Sequence, residues 1–117
     1  MKQRFFNIAK VASQKSVHHT AKIGAVVVKR GNIISIGFNQ LKTHAKSPHP
    51  YSMIHAEFDS IFGCSREDLK NSDIYVYRET KDGRLACSKP CESCQKFISS
   101  NGIKNVYYTD NGKFCKL

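Results

Sequence analysis

Residues 23–38 read IGAVVVKRGNIISIGF, and the way this stretch folds decides the architecture. Ile23 to Val28 is a continuous apolar run rich in β-branched residues, the pattern of a strand covered on both faces. Lys29-Arg30-Gly31-Asn32 is a turn sequence and Ile33 to Phe38 reads as a second strand, so the stretch predicts a β-hairpin. A strand buried on both faces needs a layer above it and a layer below it, and the flanking segments must supply them.

On the N-terminal side, Phe5, Ile8, Ala9 and Ala12 recur at i, i+3, i+4 and i+7 across residues 3–13, with basic residues elsewhere. This predicts an amphipathic helix laid on the core. On the C-terminal side, residues 39–51 carry lysines, histidines and two prolines (Pro48, Pro50) without periodicity. They read as a loop, and its length suggests a functional one. Ser52 is placed to cap the next helix, in which Ile54, Phe58, Ile61 and Phe62 form an apolar stripe.

Residues 73–79 alternate as a third strand, and Lys81-Asp82-Gly83 makes a turn. Pro90 suits the first turn of another helix, running through Phe97 and Ile98 and stopping at Asn101-Gly102. Ile103 to Thr109 reads as a fourth strand, and Asp110-Asn111-Gly112 offers a tight turn into residues 113–117. Only eight residues follow Thr109, too few for a parallel crossover, so any fifth strand is expected to return antiparallel. The order predicts a three-layer α/β fold, a mixed β-sheet with helices on both faces, in a single domain spanning 1–117.

Composition narrows the functional classes. A chain of 117 residues supports one core, and with 40% hydrophobic residues it is expected to fold. No apolar run approaches the ~20 residues of a membrane span, so no membrane partner is expected. The charged, amphipathic N-terminus does not read as a secretion signal, and a cytoplasmic location is expected. Five cysteines without such a signal favour metal or catalytic use over disulfides. A net charge of +10 favours anionic partners, either a phosphate on a small substrate or a polynucleotide.

Two short motifs carry the chemistry: HAEF at 55–58 and KPCESCQKF at 89–97. The element map places His55 in the first turn of the middle helix, and Cys91 and Cys94 in the first turn of the next. Both helix starts then meet over the carboxyl edge of the sheet, where open α/β folds bind ligands. One His and two Cys suit tetrahedral zinc and leave a fourth position for water. A helix N-terminus and the metal both favour the thiolate form that such ligation requires. Glu57, two residues after His55, is placed to take a proton from a metal-activated water, whose pKa falls towards ~7. Such a set is equipped for hydrolytic attack on a carbon bearing an amine. The same residues leave a second reading open: Cys87 could close a structural site with His55, Cys91 and Cys94, with Glu57 an ordinary helix-surface acid.

The pattern H-A-E…P-C-E-S-C resembles the zinc-dependent cytidine and deoxycytidylate deaminase family, whose signature is H-x-E…P-C-x-x-C. The resemblance runs from the hairpin at 23–38 to the strand at 103–109 and includes the 36-residue step from His55 to Cys91. It implies a cytidine-deaminase-like fold, and Zn²⁺ held by His55, Cys91 and Cys94. Zinc-bound hydroxide would attack the base, and Glu57 would shuttle protons to the pyrimidine ring nitrogen and then to the departing ammonia. Asn39, in the GFN sequence, matches a sugar-contacting position. The Ala56 amide would hold the base carbonyl, and the backbone near Ser88 would receive the exocyclic amine.

The resemblance leaves the substrate class open among nucleosides, nucleotides, nucleobases and polynucleotides. The short stretch after Thr109 departs both from members that edit nucleic acids and from longer deoxycytidylate enzymes. The leading expectation is a small-molecule cytosine nucleotide, dCMP, with Lys42, His44, Lys46 and His49 holding its phosphate. The alternative is a cytosine deaminase acting on single-stranded DNA or RNA across the +10 surface. A third reading is a non-catalytic, zinc-stabilised nucleic-acid-binding module. Tyr75, Tyr77, Tyr107 and Tyr108 are expected to pack, although a base could stack on one. An exposed sheet edge makes a homo-oligomer an expectation as well.

Overall fold

In the computed structural model, which describes residues 3–15, 22–39, 56–62, 64–80 and 84–117, residues 23–38 form the expected hairpin. Its strands are β1 (Ile23–Lys29) and β2 (Asn32–Phe38). Arg30 and Gly31 join them at φ 53° and 81°, the left-handed pair that matches the twist of two antiparallel strands. Three further strands complete the sheet: β3 (Asp73–Arg78), β4 (Asn105–Asp110) and β5 (Lys113–Lys116).

The strand order is β2-β1-β3-β4-β5. Only β3 and β4 run parallel, and β5 returns antiparallel to β4 through Asn111-Gly112, as expected. The parallel crossover from β3 to β4 carries the last helix, α4 (Glu92–Ser100), and precedes it with the segment 79–91. The other helices are α1 (Gln3–Ser13), α2 (Ala56–Phe62) and α3 (Arg66–Leu69). The four-residue α3 is too short to show a period in sequence. Ser65 caps it, its side chain accepting from the Asp68 amide at 3.2 Å.

The apolar run of β1 is continuous because both of its faces are buried. Val26 and Val28 meet Phe5, Phe6 and Ala9 of α1, together with Tyr75, Tyr77 and Tyr107. Ala25 and Val27 meet Ala56 and Ile61 of α2, Ile98 of α4, and Ile74, Val76 and Val106 of the sheet. The tyrosines therefore pack: the Tyr75 and Tyr107 rings stack at 4.7 Å beneath α1, on the face opposite α2 and α4. The two helical layers sit so close to the hairpin that side chains are excluded at two places. A Cβ on Gly24 would collide with the Ala9 carbonyl and the Ser13 amide of α1. One on Gly37 would collide with the Ser60 amide and lie 2.8 Å from the Ala56 carbonyl oxygen of α2.

Several boundaries differ from expectation. α4 begins at Glu92, with Cys91 as its cap and Pro90 outside the helix. β3 ends at Arg78, and Glu79 instead bridges to Leu85. β4 starts at Asn105, because the Lys104 amide donates to the Ser72 carbonyl at 2.7 Å before the ladder begins. Among the described residues no helix is long and apolar enough to cross a membrane.

Candidate active site

The site forms where three strand ends lie side by side. β1 begins at Ile23, β2 ends at Phe38, β3 ends at Arg78, and Ile23 pairs with Arg78 across the sheet. Asn39 follows β2 and is buried. Its amide donates to the Ile23 carbonyl at 3.1 Å, and its Oδ1 accepts from the Ile23 amide at 3.0 Å. Asn39 thereby extends the β1–β2 ladder by one rung, half of it supplied by a side chain.

α2 is held against these strand ends from several directions. Gly37 admits its backbone, and Asp59 Oδ2 accepts from the Phe38 amide at 3.1 Å. The Ser60 hydroxyl donates to the Glu57 carbonyl at 2.8 Å. Ala56 and Glu57 open the helix, and both are buried, Glu57 at 4% exposure. That burial, more than any neighbour, pushes the Glu57 carboxyl above the ordinary carboxylate range, and a hydrogen bond from Cys94 pulls part of the way back.

The segment before α4 is pinned to the sheet by Ser88 and Thr109. The Ser88 amide donates to the Thr109 carbonyl at 2.7 Å, and the Thr109 amide donates to the Ser88 hydroxyl oxygen at 2.7 Å. The Ser88 hydroxyl donates to the Val76 carbonyl at 2.9 Å, and the Thr109 hydroxyl donates to the Ala86 carbonyl at 2.7 Å. Ser88 has thus committed its amide and hydroxyl to the framework, which leaves its carbonyl as the backbone group it can offer a ligand. Beyond it, Gln95 Nε2 donates to the Pro90 carbonyl at 2.8 Å, and the Gln95 amide donates to the Cys91 carbonyl at 2.8 Å.

These constraints bring Glu57 and Cys94 together across two helices. Cys94 is fully buried, and its thiol is hydrogen-bonded to the Glu57 carboxyl group and to the Cys91 thiol. Burial raises the Cys94 thiol well above its usual range, and the Glu57 charge and Cys91 push in the same direction. Burial therefore outweighs the expected thiolate-favouring effect of the helix N-terminus. Burial raises both acids, and the Glu57 charge raises Cys94 further; a divalent cation beside them would relieve both. Two thiols on one helix start with a carboxyl group beside them are a donor set that fits zinc.

Glu57, Ser88, Cys91 and Cys87 line one cavity of about 160 Å³, shared with Ile23, Arg78, Lys89 and Pro90. Among the described residues no three His, Cys, Asp or Glu side chains converge closely enough to hold a metal by themselves. Cys87 is exposed and lines this cavity together with Cys91. His55, His44 and His49, with Lys42 and Lys46, lie outside the described residues. Ala56 at the start of α2 continues the chain directly from His55.

A sequence profile described as the cytidine and deoxycytidylate deaminase zinc-binding region matches residues 1–110. The chain belongs to this deaminase family. Deoxycytidylate deaminase of Mycobacterium phage D29 is 30% identical over 125 residues, covering 89% of this chain and 90% of that protein. The crystal structure of dCMP deaminase from cyanophage S-TIM5 in complex with dCMP and dUMP superposes with a TM-score of 0.65 at 26% identity. The match covers 92% of this chain and 82% of that one. Cytidine deaminase from Burkholderia pseudomallei shares the fold, with a TM-score of 0.72 at 19% identity over 100% of this chain and 91% of that one.

Three residues at this deaminase's site escaped the sequence reading: Arg78, Lys89 and Thr109. The alternation of β3 carried a signal for the first. Ile74 and Val76 face α2 and α4, so residue 78 continues the same face into the cavity. Thr109 and Ser88 carried none, because their partnership joins two segments 21 residues apart.

Proposed function

We propose that residues 1–117 form one deaminase domain that hydrolyses the exocyclic amine of cytosine in a nucleotide, dCMP, giving dUMP and ammonia. In the balanced reaction water adds to C4 of the base, the C4–N bond breaks, and the amine leaves as ammonia. The observation that carries the reading is the contact between the Glu57 carboxyl and the Cys94 thiol, where the starts of α2 and α4 meet. In this reading the contact would set the proton carrier beside a zinc ligand. Family membership and the S-TIM5 relative solved with dCMP and dUMP support the substrate.

His55, Cys91 and Cys94 would hold zinc, which supplies when bound a Lewis acid that makes water acidic near neutral pH. Glu57 accepts a proton from water, delivers it to the ring nitrogen beside the reacting carbon, and later protonates the departing amine. The Ala56 amide, at the start of α2, holds the base carbonyl. The Ser88 carbonyl receives the exocyclic amine, and the segment around Asn39 meets the sugar. His44 and His49 contribute from the segment between β2 and α2. The exposed edge of β2, with Ile33 and Ile36 more than 40% accessible, supports a homo-oligomer.

The test is turnover. Zinc-loaded protein is incubated with cytidine, CMP, dCMP and single-stranded DNA while uracil products and ammonia are followed, with Glu57→Ala as control. Selective release from dCMP, absent in the variant, is the expected outcome. Exclusive turnover of DNA would replace the substrate, and silence on all four would return the site to a structural zinc role.

A further inference from the structure

The cavity beside Glu57 carries a cationic wall to which nothing above assigns a role. Arg78, the last residue of β3, and Lys89, just before α4, both line it. Among the described residues neither forms an ion pair; the ion pairs there join Lys10 to Glu79 and Lys96 to Glu92. One end of the Arg78 guanidinium is anchored, with Nη1 donating to the Cys87 carbonyl at 3.4 Å. Its Nε is buried and has no hydrogen-bond partner among the described residues. A buried donor without an acceptor is costly, and its cost falls when an acceptor arrives.

Position gives this donor a direction. Ile23 lies between Arg78 and Asn39, paired with the first in the ladder and hydrogen-bonded to the second. Arg78 therefore stands two strands across from the residue assigned to the sugar, on the same sheet edge. Its Cα register with Ile23 turns its side chain to the face that carries α2 and α4. A planar guanidinium fixed at one end, with an ammonium group nearby, matches the oxygens of a phosphate monoester.

We infer that Arg78, assisted by Lys89, receives the 5′-phosphate of the substrate and so determines preference for a nucleotide over a nucleoside. This rests on the reading of the site as a cytosine-nucleotide deaminase. A monoester is favoured over a polynucleotide backbone because both cations line a cavity of about 160 Å³ instead of an open track.

The test compares affinities that do not depend on catalysis. Binding of dUMP and of deoxyuridine to zinc-loaded wild type, Arg78→Gln, Arg78→Lys and Lys89→Gln is measured by calorimetry, alongside zinc content and a thermal melt. Wild type binds dUMP more tightly than deoxyuridine. In Arg78→Gln that preference falls by about tenfold or more, while deoxyuridine affinity changes by no more than about twofold. Arg78→Lys recovers part of the preference, and Lys89→Gln loses less of it.

Equal loss for both ligands, with falling zinc content, would make Arg78 only a brace for the Cys87 segment and overturn the inference. So would a wild type that binds dUMP no better than deoxyuridine, or binds neither. An oligodeoxynucleotide bound more tightly than dUMP through Arg78 would overturn the monoester assignment. A wild type with the phosphate preference but no turnover of dCMP would sink the proposed reaction and leave the anion site standing.

Discussion

Ser88 and Thr109 are joined by reciprocal hydrogen bonds of 2.7 Å, each amide satisfied by an oxygen of the other residue. Through them the end of β4 fixes the segment that delivers Cys91 to the site. Thr109→Val keeps the shape and removes a buried hydroxyl bonded to the Ala86 carbonyl. The substitution is expected to cost about 1–3 kcal/mol of stability. Chemical denaturation reads the loss, and competition with a zinc chelator shows weaker metal retention. A variant as stable as wild type would show that the network is not what holds the segment.

Gly37 marks where α2 meets β2 without room for a side chain. Gly37→Ala must push back the Ala56 carbonyl and Ser60 amide, so it moves the start of α2 that carries Glu57. The expected effects are a stability loss of about 1–3 kcal/mol and a fall in turnover beyond what unfolding explains. Gly31→Ala is the comparison. A Cβ there meets nothing within 4 Å, so only the strain of φ +81° is added, about 1–2 kcal/mol, and turnover per folded molecule stays unchanged.

Cys87 and Cys94 sit seven residues apart but differ in surroundings: Cys87 is exposed and Cys94 is fully buried. Metal analysis of purified variants is expected to find one zinc per chain in wild type and Cys87→Ser, and none in Cys94→Ser. Removing the metal from wild type should lower its thermal midpoint, because a ligand bound only by the folded state stabilises it. Loss of zinc in Cys87→Ser would revive the closed four-ligand site.

Glu57→Gln preserves the shape of the buried side chain but cannot carry protons. The variant is expected to retain zinc while turnover falls by about 10²–10⁴-fold, the range lost with a positioned proton carrier. Stopped or steady-state assays of dUMP formation check this. Near-normal turnover would exclude Glu57 from the chemistry.

Tyr77, under α1, donates its hydroxyl to Glu79 at 2.7 Å. Burial first, and the Glu79 carboxylate second, raise its pKa above the ordinary tyrosine value of 10.0. The folded chain therefore holds this proton at pH values where the unfolded chain has released it. Its contribution is complete below pH 10 and declines as pH rises above it. Wild type should lose stability above about pH 10 more steeply than Tyr77→Phe. Parallel alkaline denaturation profiles would contradict this.

Much of this protein was legible without coordinates, for reasons that are local. The β-branched run 23–28, the Arg30-Gly31 turn and the i, i+3, i+4 repeat of α1 each depend on neighbours within a few residues. So does the family signature, because its spacing within PCESC follows from the geometry of one helix start. By itself the sequence therefore determined the order of the strands and of α1, α2 and α4, the mixed sheet, the antiparallel return of β5 and the family.

Tertiary structure decided what depends on distant segments. It turned Arg78 into the cavity and bound Ser88 to Thr109. It left Cys87 exposed while burying Cys94, and it placed Glu57 against Cys94. The proton affinity of Cys94 is the clearest case. A helix N-terminus favours the thiolate, yet burial and a carboxylate from another helix reverse the balance, because desolvation and a like charge in contact exceed the field of a helix end.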